Sequence, residues 1–290
     1  MKFAKLCIVL FLTLVAGNFS AAIAQEKGPL TLIVMDPMAS KLSCDCVQGY
    51  AQRDYEKLGH FLTKKLARKV NVVWAESLKT GLEESKGAVD VIIGKHSVVL
   101  HDAKTEKLEI RPLAQLTDQK DSVNMTGMFV VRSGNPAKTV EDLKGFRVFF
   151  GPSYCDEKSA AMFDLMKQKS LPIPSPVETA PTCSAAALQL MELPEDAKAA
   201  AVISSYAATL LEGCKKVKKG DLRIIGESKP VPFITLFVRS NMSKESVEKI
   251  SKAFDDVGLD AQLLIDMETA SGFVPWNETE SKGDKKISSR

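Results

Sequence analysis

The chain has 290 residues, of which 45% are hydrophobic and 26% charged, the balance of a soluble globular protein and not of a disordered or fibrous one. Lys plus Arg is 39 against 36 for Asp plus Glu, and only 7% of residues are aromatic. That composition lacks both the basic face and the stacking platforms of a nucleic-acid binder, so nucleic acid is excluded as the main partner.

Residues 1–24 read as a secretory signal peptide: Lys2 and Lys5 precede an apolar run from Leu6 to Ala16, and Ala22-Ile23-Ala24 is a small-x-small cleavage signal. The run falls well short of the roughly 20 residues that a membrane-spanning helix requires. No later stretch is long or apolar enough, so no stable membrane insertion is expected. The mature protein is expected in the periplasm.

After the cut, short apolar runs alternate with helical patterns, the signature of α/β layers. Leu30 to Met35 is the first strand. Apolar residues at Tyr55, Leu58, Leu62 and Leu66 make Tyr50 to Leu66 an amphipathic helix. Val70 to Trp74 is a strand, Ser77 to Ser85 a helix, Val89 to Ile93 a strand, and Met128 to Val131 continues the sheet. A second unit opens with Thr139 capping a helical turn through Asp142. Arg147 to Phe150 is a strand, Glu157 to Gln168 a helix, and Pro176 to Thr179 a short strand. Ser184 to Glu192 is helical, Ala200 to Ile203 a strand, and Ser205 to Glu212 a helix. Leu222 to Ile225 and Phe233 to Val238 are strands, and helices follow over Lys244 to Val257 and Asp260 to Ala270. Residues 277–290 have almost no apolar content and read as a disordered tail. The loops that leave strand carboxyl ends, where α/β folds place ligands, are 36–49, 94–98, 151–159 and 204–206.

Several segments in order resemble a known family: Asp90-Val-Ile-Ile-Gly94, Pro112-Leu-Ala-Gln115, Met128-Phe-Val-Val-Arg132, Val140 to Gly145 followed by Arg147-Val-Phe-Phe-Gly151, Ala201 to Tyr206, Val231-Pro-Phe-Ile-Thr235 and Gly272-Phe-Val-Pro275. Together they are similar to the substrate-binding proteins of phosphate/phosphonate-type ABC transporters. The resemblance implies an α/β, two-lobed type 2 periplasmic-binding-protein fold with two crossing hinge segments, near Asn124–Phe129 and Gly226–Phe233. Lobe 1 would comprise 25–125 and 231–276, and lobe 2 would comprise 126–230. It further implies a small-molecule ligand in the inter-lobe cleft, a small oxyanion or a phosphonate-like solute, with an ABC permease as partner, no cofactor and no enzymatic activity.

The positions expected to hold that ligand are Ser40, Tyr50, Lys95, His96, Thr126, Ser153, Tyr154, Ser204, Ser205 and Tyr206. Lys95 and His96 follow a strand, and offer a positive charge and a donor. Ser205 and Tyr206 open a helix with hydroxyls and N–H groups. Two departures from the family pattern stand out. Ser153-Tyr154-Cys155-Asp156-Glu157 replaces a Ser-Thr-Ser-like run at a helix N-terminus. There Asp156 and Glu157 oppose a phosphate placed close by, and fit a helix-capping role. In Ile203-Ser204-Ser205-Tyr206 a serine stands where the family has an acid, which removes a partner for a ligand amine. Arg53 could hold an anion, although a solvated contact with Glu56 on the same helix is the favoured reading, and His60 and His101 read as surface residues.

Five cysteines remain after the cut: Cys44, Cys46, Cys155, Cys183 and Cys214. In an oxidising compartment one or two disulfides are expected, with Cys155–Cys183 as a staple of the second lobe. A rival reading is a metal- or thiol-dependent carrier using Cys44, Cys46, Cys155 and His96. Others are a thiol enzyme, and a receptor that hands the closed form to a sensor.

Overall fold

A computed structural model describes residues 28–43 and 52–278. The expected signal peptide, Tyr50, Cys44, Cys46 and the tail from 279 onward lie outside the described residues.

The first lobe is built on a six-stranded sheet in the order β13-β4-β12-β3-β1-β2. Its strands are β1 (Leu30–Met35), β2 (Val70–Trp74), β3 (Val91–Lys95), β4 (Ile110–Leu116), β12 (Ile234–Arg239) and β13 (Phe273–Pro275). β1, β2 and β3 run parallel, while β12 lies antiparallel to both β3 and β4. Alternation along β1 supplies two cores at once. Leu30, Leu32 and Val34 pack beneath α1 (Tyr55–Leu66) and α7 (Lys244–Asp255), and Ile33 and Met35 pack with α2 (Leu78–Glu84) and α3 (His96–Thr105). A sheet covered on both faces explains why its central strands read as unbroken apolar runs.

The second lobe holds five strands in the order β10-β6-β9-β7-β8. These are β6 (Gly127–Arg132), β7 (Arg147–Phe150), β8 (Glu178–Thr179), β9 (Ala199–Ser204) and β10 (Leu222–Glu227), with helices α4 (Ala160–Gln168), α5 (Cys183–Met191) and α6 (Ala207–Gly213). Met128 and Val130 face one core, and Phe129 and Val131 the other. Between the lobes, β5 (Asn124–Met125) and β11 (Val231–Pro232) pair antiparallel as a two-stranded ribbon. Both chain crossings run through it, at the two hinge segments read from the sequence. The last helix, α8 (Ala261–Asp266), precedes β13.

Most expected elements are present, with informative shifts. The first helix starts at Tyr55 because Asp54 caps it, accepting from the Glu56 and Lys57 amides at 3.1 and 3.0 Å. Helix α3 and strand β4, between the third strand and the hinge, were not anticipated. The expected helix over Glu157–Gln168 is broken: Asp156–Lys158 form one turn of 3-10 helix, Ser159 departs from helical dihedrals, and α4 begins at Ala160. Tertiary packing causes the break. The Glu157 carbonyl lies directly on Gly127, where a methyl group would have no room, and the Lys158 carbonyl accepts from Gly151 N–H at 3.1 Å. The expected Cys155–Cys183 bridge is not made: both are buried free thiols. Cys155 lies in the loop after β7 and Cys183 opens α5, beneath the end of β9, where its sulfur is already engaged by the Ser204 amide at 3.3 Å. Cys214 is the disulfide-bonded cysteine among the described residues. No helix among the described residues is long and apolar enough to cross a membrane.

Candidate functional site

At the mouth between the lobes, β3 ends on Lys95 and β9 ends on Ser204. The Lys95 ammonium forms an ion pair with the carboxylate of Glu157, which reaches across from the 3-10 turn of the second lobe. Ser204 Oγ donates to the same Glu157 oxygen, Oε1, at 2.6 Å. Lys95 is 6% exposed, and Glu157 and Ser204 are fully buried. The second carboxylate oxygen, Oε2, is buried without a partner. Such groups are uncommon, because an unsatisfied buried acceptor carries its full desolvation cost.

Tyr206 forms one wall. Its ring stacks on Phe233 at 5.0 Å between centroids, and its centroid lies 6.0 Å from Lys95 Nζ. Burial pushes the Tyr206 phenol well above its usual range, although Lys95 draws it back, so the hydroxyl stays protonated and can donate. For Lys95, burial acts to lower the pKa, but the ion pair with Glu157 outweighs it and keeps the amine charged. Burial likewise acts to raise Glu157, and Lys95 with Ser204 outweighs it, so Glu157 is held below its ordinary value. Cys155 is a thiol and not a thiolate: burial raises it more than Lys95 and Lys158 lower it, the opposite of what a thiol nucleophile needs.

Two further contacts tie the same turn to the first lobe. Asp156 N–H donates to Ser97 Oγ at 3.2 Å, and the Tyr154 ring stacks on His101 at 4.8 Å. Beside the ion pair lies a cavity of about 310 Å³, lined from both lobes and the hinge by Arg53, Asp118, Asn124, Ser205, Tyr206 and Phe233 among others. Arg53 is 1% exposed and lies 5.5 Å from the Phe233 ring centroid. Its Nη1 donates to Asp36 at 2.8 Å, the Tyr55 hydroxyl donates to the same Asp36 oxygen at 2.7 Å, and Arg53 Nε is unpartnered. Arg53 is therefore no solvated partner of Glu56. Asp54 caps the helix next to it, and the chain before the cap turns the guanidinium inward beneath β1.

The expected ligand residues divide into three groups. Lys95, Ser204, Ser205 and Tyr206 converge on the cleft. Thr126 joins them through the backbone: its N–H donates to Ser205 Oγ at 3.1 Å and its carbonyl accepts from Ser205 N–H at 2.9 Å. Ser40, Ser153 and Tyr154 do not gather at Lys95. Ser40 is half-buried with its N–H bound to the Arg53 carbonyl at 3.0 Å, Ser153 is exposed, and Tyr154 lies on the rim against His101. Tyr50 is outside the described residues.

His96 is engaged within the first lobe. Its Nδ1 is 3.1 Å from Thr235 Oγ1, and its ring stacks on Trp276 at 4.8 Å and leans on Phe237 at 5.4 Å. No group of three or more His, Cys, Asp or Glu able to hold a metal occurs among the described residues. Burial lowers the His96 pKa from 6.5 to about 4. The unfolded chain therefore binds one more proton between those values, and stability should fall as pH drops from about 6.5 to 4, by on the order of 3 kcal/mol from this group. Urea denaturation of wild type and H96Q across that interval checks it; parallel curves for the two proteins contradict it.

Sequence reading passed over Asp36 and gave Glu157 a helix-capping role. Both lie in the loops marked by strand ends, but the partner of each is set by packing between elements far apart in the chain.

A family model described as the periplasmic substrate-binding protein of phosphonate ABC transporters matches residues 48–280. Among solved structures, a Xanthomonas citri protein bound to ATP is similar at 13% identity and a TM-score of 0.64, over 88% of this chain and 94% of that one. A binding-protein component of an ABC phosphonate transporter from Pseudomonas aeruginosa aligns at 15% identity and 0.64, over 87% and 83%. PhnD1 from Prochlorococcus marinus, in complex with methylphosphonate, aligns at 14% and 0.57, over 87% and 94%. No match was found among curated proteins. At these identities the structures establish the two-lobed fold and nothing about the solute.

Proposed function

The chain belongs to the periplasmic substrate-binding proteins of phosphonate ABC transporters, a family of solute binders and not of enzymes, and on that premise we propose that it captures a small oxyanion or phosphonate-like solute between its lobes and delivers it to an ABC permease. The signal peptide delivers it to the periplasm. The lobes divide at 125/126 and 230/231, so that the solute is enclosed when they rotate about the β5–β11 ribbon.

One observation carries the reading: a buried ammonium from one lobe and a buried hydroxyl from the other, Lys95 and Ser204, meet on a single carboxylate in the cleft. That is an anion-binding arrangement, charge-assisted on one side and neutral on the other. Ser205 and Tyr206 add donors beside it, and the adjoining cavity gives room for a substituent on the anion. A closed form that binds anion across both lobes is populated by the solute in proportion to its preference for that form.

Isothermal titration with phosphate, phosphite, sulfate and methylphosphonate tests this. Saturable one-to-one binding to at least one of them is expected, weakened at least about tenfold by S204A. Absence of heat with all four overturns the solute class.

A further inference from the structure

In the cleft the anion position is already filled, by a side chain of the protein itself. We infer that Glu157 is an internal anion that takes the Lys95–Ser204 site when no solute is present, latching the lobes together and setting which solutes can enter. This deepens the reading above and rests on it for the chemistry of the solute displaced.

Three observations support it independently. First, Glu157 belongs to the second lobe and Lys95 to the first, so the ion pair is a bond across the cleft and not within a lobe. The neighbouring contacts, Asp156 to Ser97 and Tyr154 to His101, come from the same turn and the loop just before it, and land on the same helix, α3. Second, the turn is built to aim this side chain. Its carbonyl rests on Gly127, its neighbour Lys158 is held by Gly151, and the helix that the sequence would otherwise begin at Glu157 is delayed to Ala160. A capping glutamate would lie along its own helix; this one is turned into the cleft. Third, the fit is incomplete. Glu157 Oε2 is buried with no partner, although Oε1 takes both donors. A group optimised only to stabilise the fold would satisfy both oxygens. One that must be surrendered to an incoming anion gains from being held at one oxygen.

The consequence is competition. A solute anion must displace a tethered carboxylate from Lys95, so the apparent affinity is the affinity of the bare site multiplied by the fraction of protein in the open form. If that form outweighs the open one about tenfold, the solute binds about tenfold more weakly than the bare site allows. Solutes that reach Lys95 only feebly are excluded, and one that also donates to the freed carboxylate is favoured.

The test uses the mature protein, with E157Q to remove the charge and E157D to keep the charge on a side chain one methylene shorter. Small-angle scattering on ligand-free samples reads the opening of the lobes, and titration with inorganic phosphate and methylphosphonate reads the competition. Both variants should show a larger radius of gyration than wild type while still unfolding cooperatively, and E157Q should bind phosphate about tenfold more tightly. E157D keeps the test valid if E157Q does not fold. Unchanged radii in the folded variants, or phosphate binding that is measurable and equal in wild type and an opened E157Q, overturn the inference. An opened E157Q that binds neither anion upholds the latch and overturns the oxyanion reading instead.

Discussion

Asp36→Asn should lower the stability of the protein by about 3–5 kcal/mol, the range found when one member of a buried ion pair is removed. For a chain of this size that is a fall in Tm of roughly 10 °C. Asp36 is fully buried at the end of β1 and is the carboxylate that meets both Arg53 Nη1 and the Tyr55 hydroxyl. Its other oxygen accepts from the Met38 amide at 2.8 Å, which fixes the loop that follows. Asparagine keeps the shape and some of the hydrogen bonding but leaves the Arg53 guanidinium charged, 1% exposed and without a counter-ion. Burial acts to lower the Arg53 pKa and Asp36, with a smaller contribution from Asp118, more than restores it, so the cation depends chiefly on Asp36. Urea denaturation at neutral pH measures the loss. A change below about 1 kcal/mol would mean that Arg53 finds another anion or that water reaches it.

Lys95→Met strands the Glu157 carboxylate of the closed form with Ser204 as its one donor. Because the lobes can open to release it, the expected cost is capped at the preference for the latched form, about 1.4 kcal/mol for a tenfold bias. The sign of its pH dependence follows from the two states of Glu157. In the wild type its pKa is held below the usual 4.5, so the pair contributes stability that is present above 4.5 and is lost as pH falls through the folded value. Without Lys95, burial prevails and raises the carboxyl, so the folded variant takes up a proton more readily than its unfolded chain and gains relative to wild type on acidification. The stability gap should therefore be widest near neutrality and narrow below about pH 4.5. His96 titrates alike in both proteins and cancels in the comparison. Urea curves at two pH values settle the matter: a gap that stays constant argues against a buried, charge-compensated pair.

Much of the architecture was legible because each strand is a short β-branched run bounded by turn residues and each helix repeats apolar residues at three- and four-residue spacing. Thr139 with Asp142 announced a capped turn, and the structure shows the reciprocal capping box. The two central sheets are buried on both faces, which is why Leu30–Met35 and Ala199–Ser204 stood out so clearly. Strand β4 was harder to see, since Pro112 and three other exposed or half-exposed residues dilute its pattern. Helix α3 was hidden because it starts directly from β3, with Lys95 in the N-cap position making no side-chain cap.

The candidate site was legible in part. Lys95, Ser204, Ser205 and Tyr206 follow strand ends, and chain direction alone puts such residues at the mouth of an α/β lobe. The sequence also marked Glu157 as a negative charge beside an expected anion, and assigned it to its own helix. Only the tertiary structure could decide between the two uses. Helix capping is a local contact, whereas the ion pair with Lys95 joins residues 62 positions apart on different lobes. The same holds for Arg53, whose local partner Glu56 lost to Asp36, and for Cys155 and Cys183, whose compartment favours pairing but whose burial beside Glu157 and Ser204 keeps them apart. By itself the chain determined most of its strands and helices, its α/β class and the loops that bear the site, all set by periodicity and capping over short spans. The partner of each buried charge was decided by the docking of one lobe on the other, or of distant elements within a lobe, because an ion removed from water takes whichever counter-ion the packed fold brings within reach.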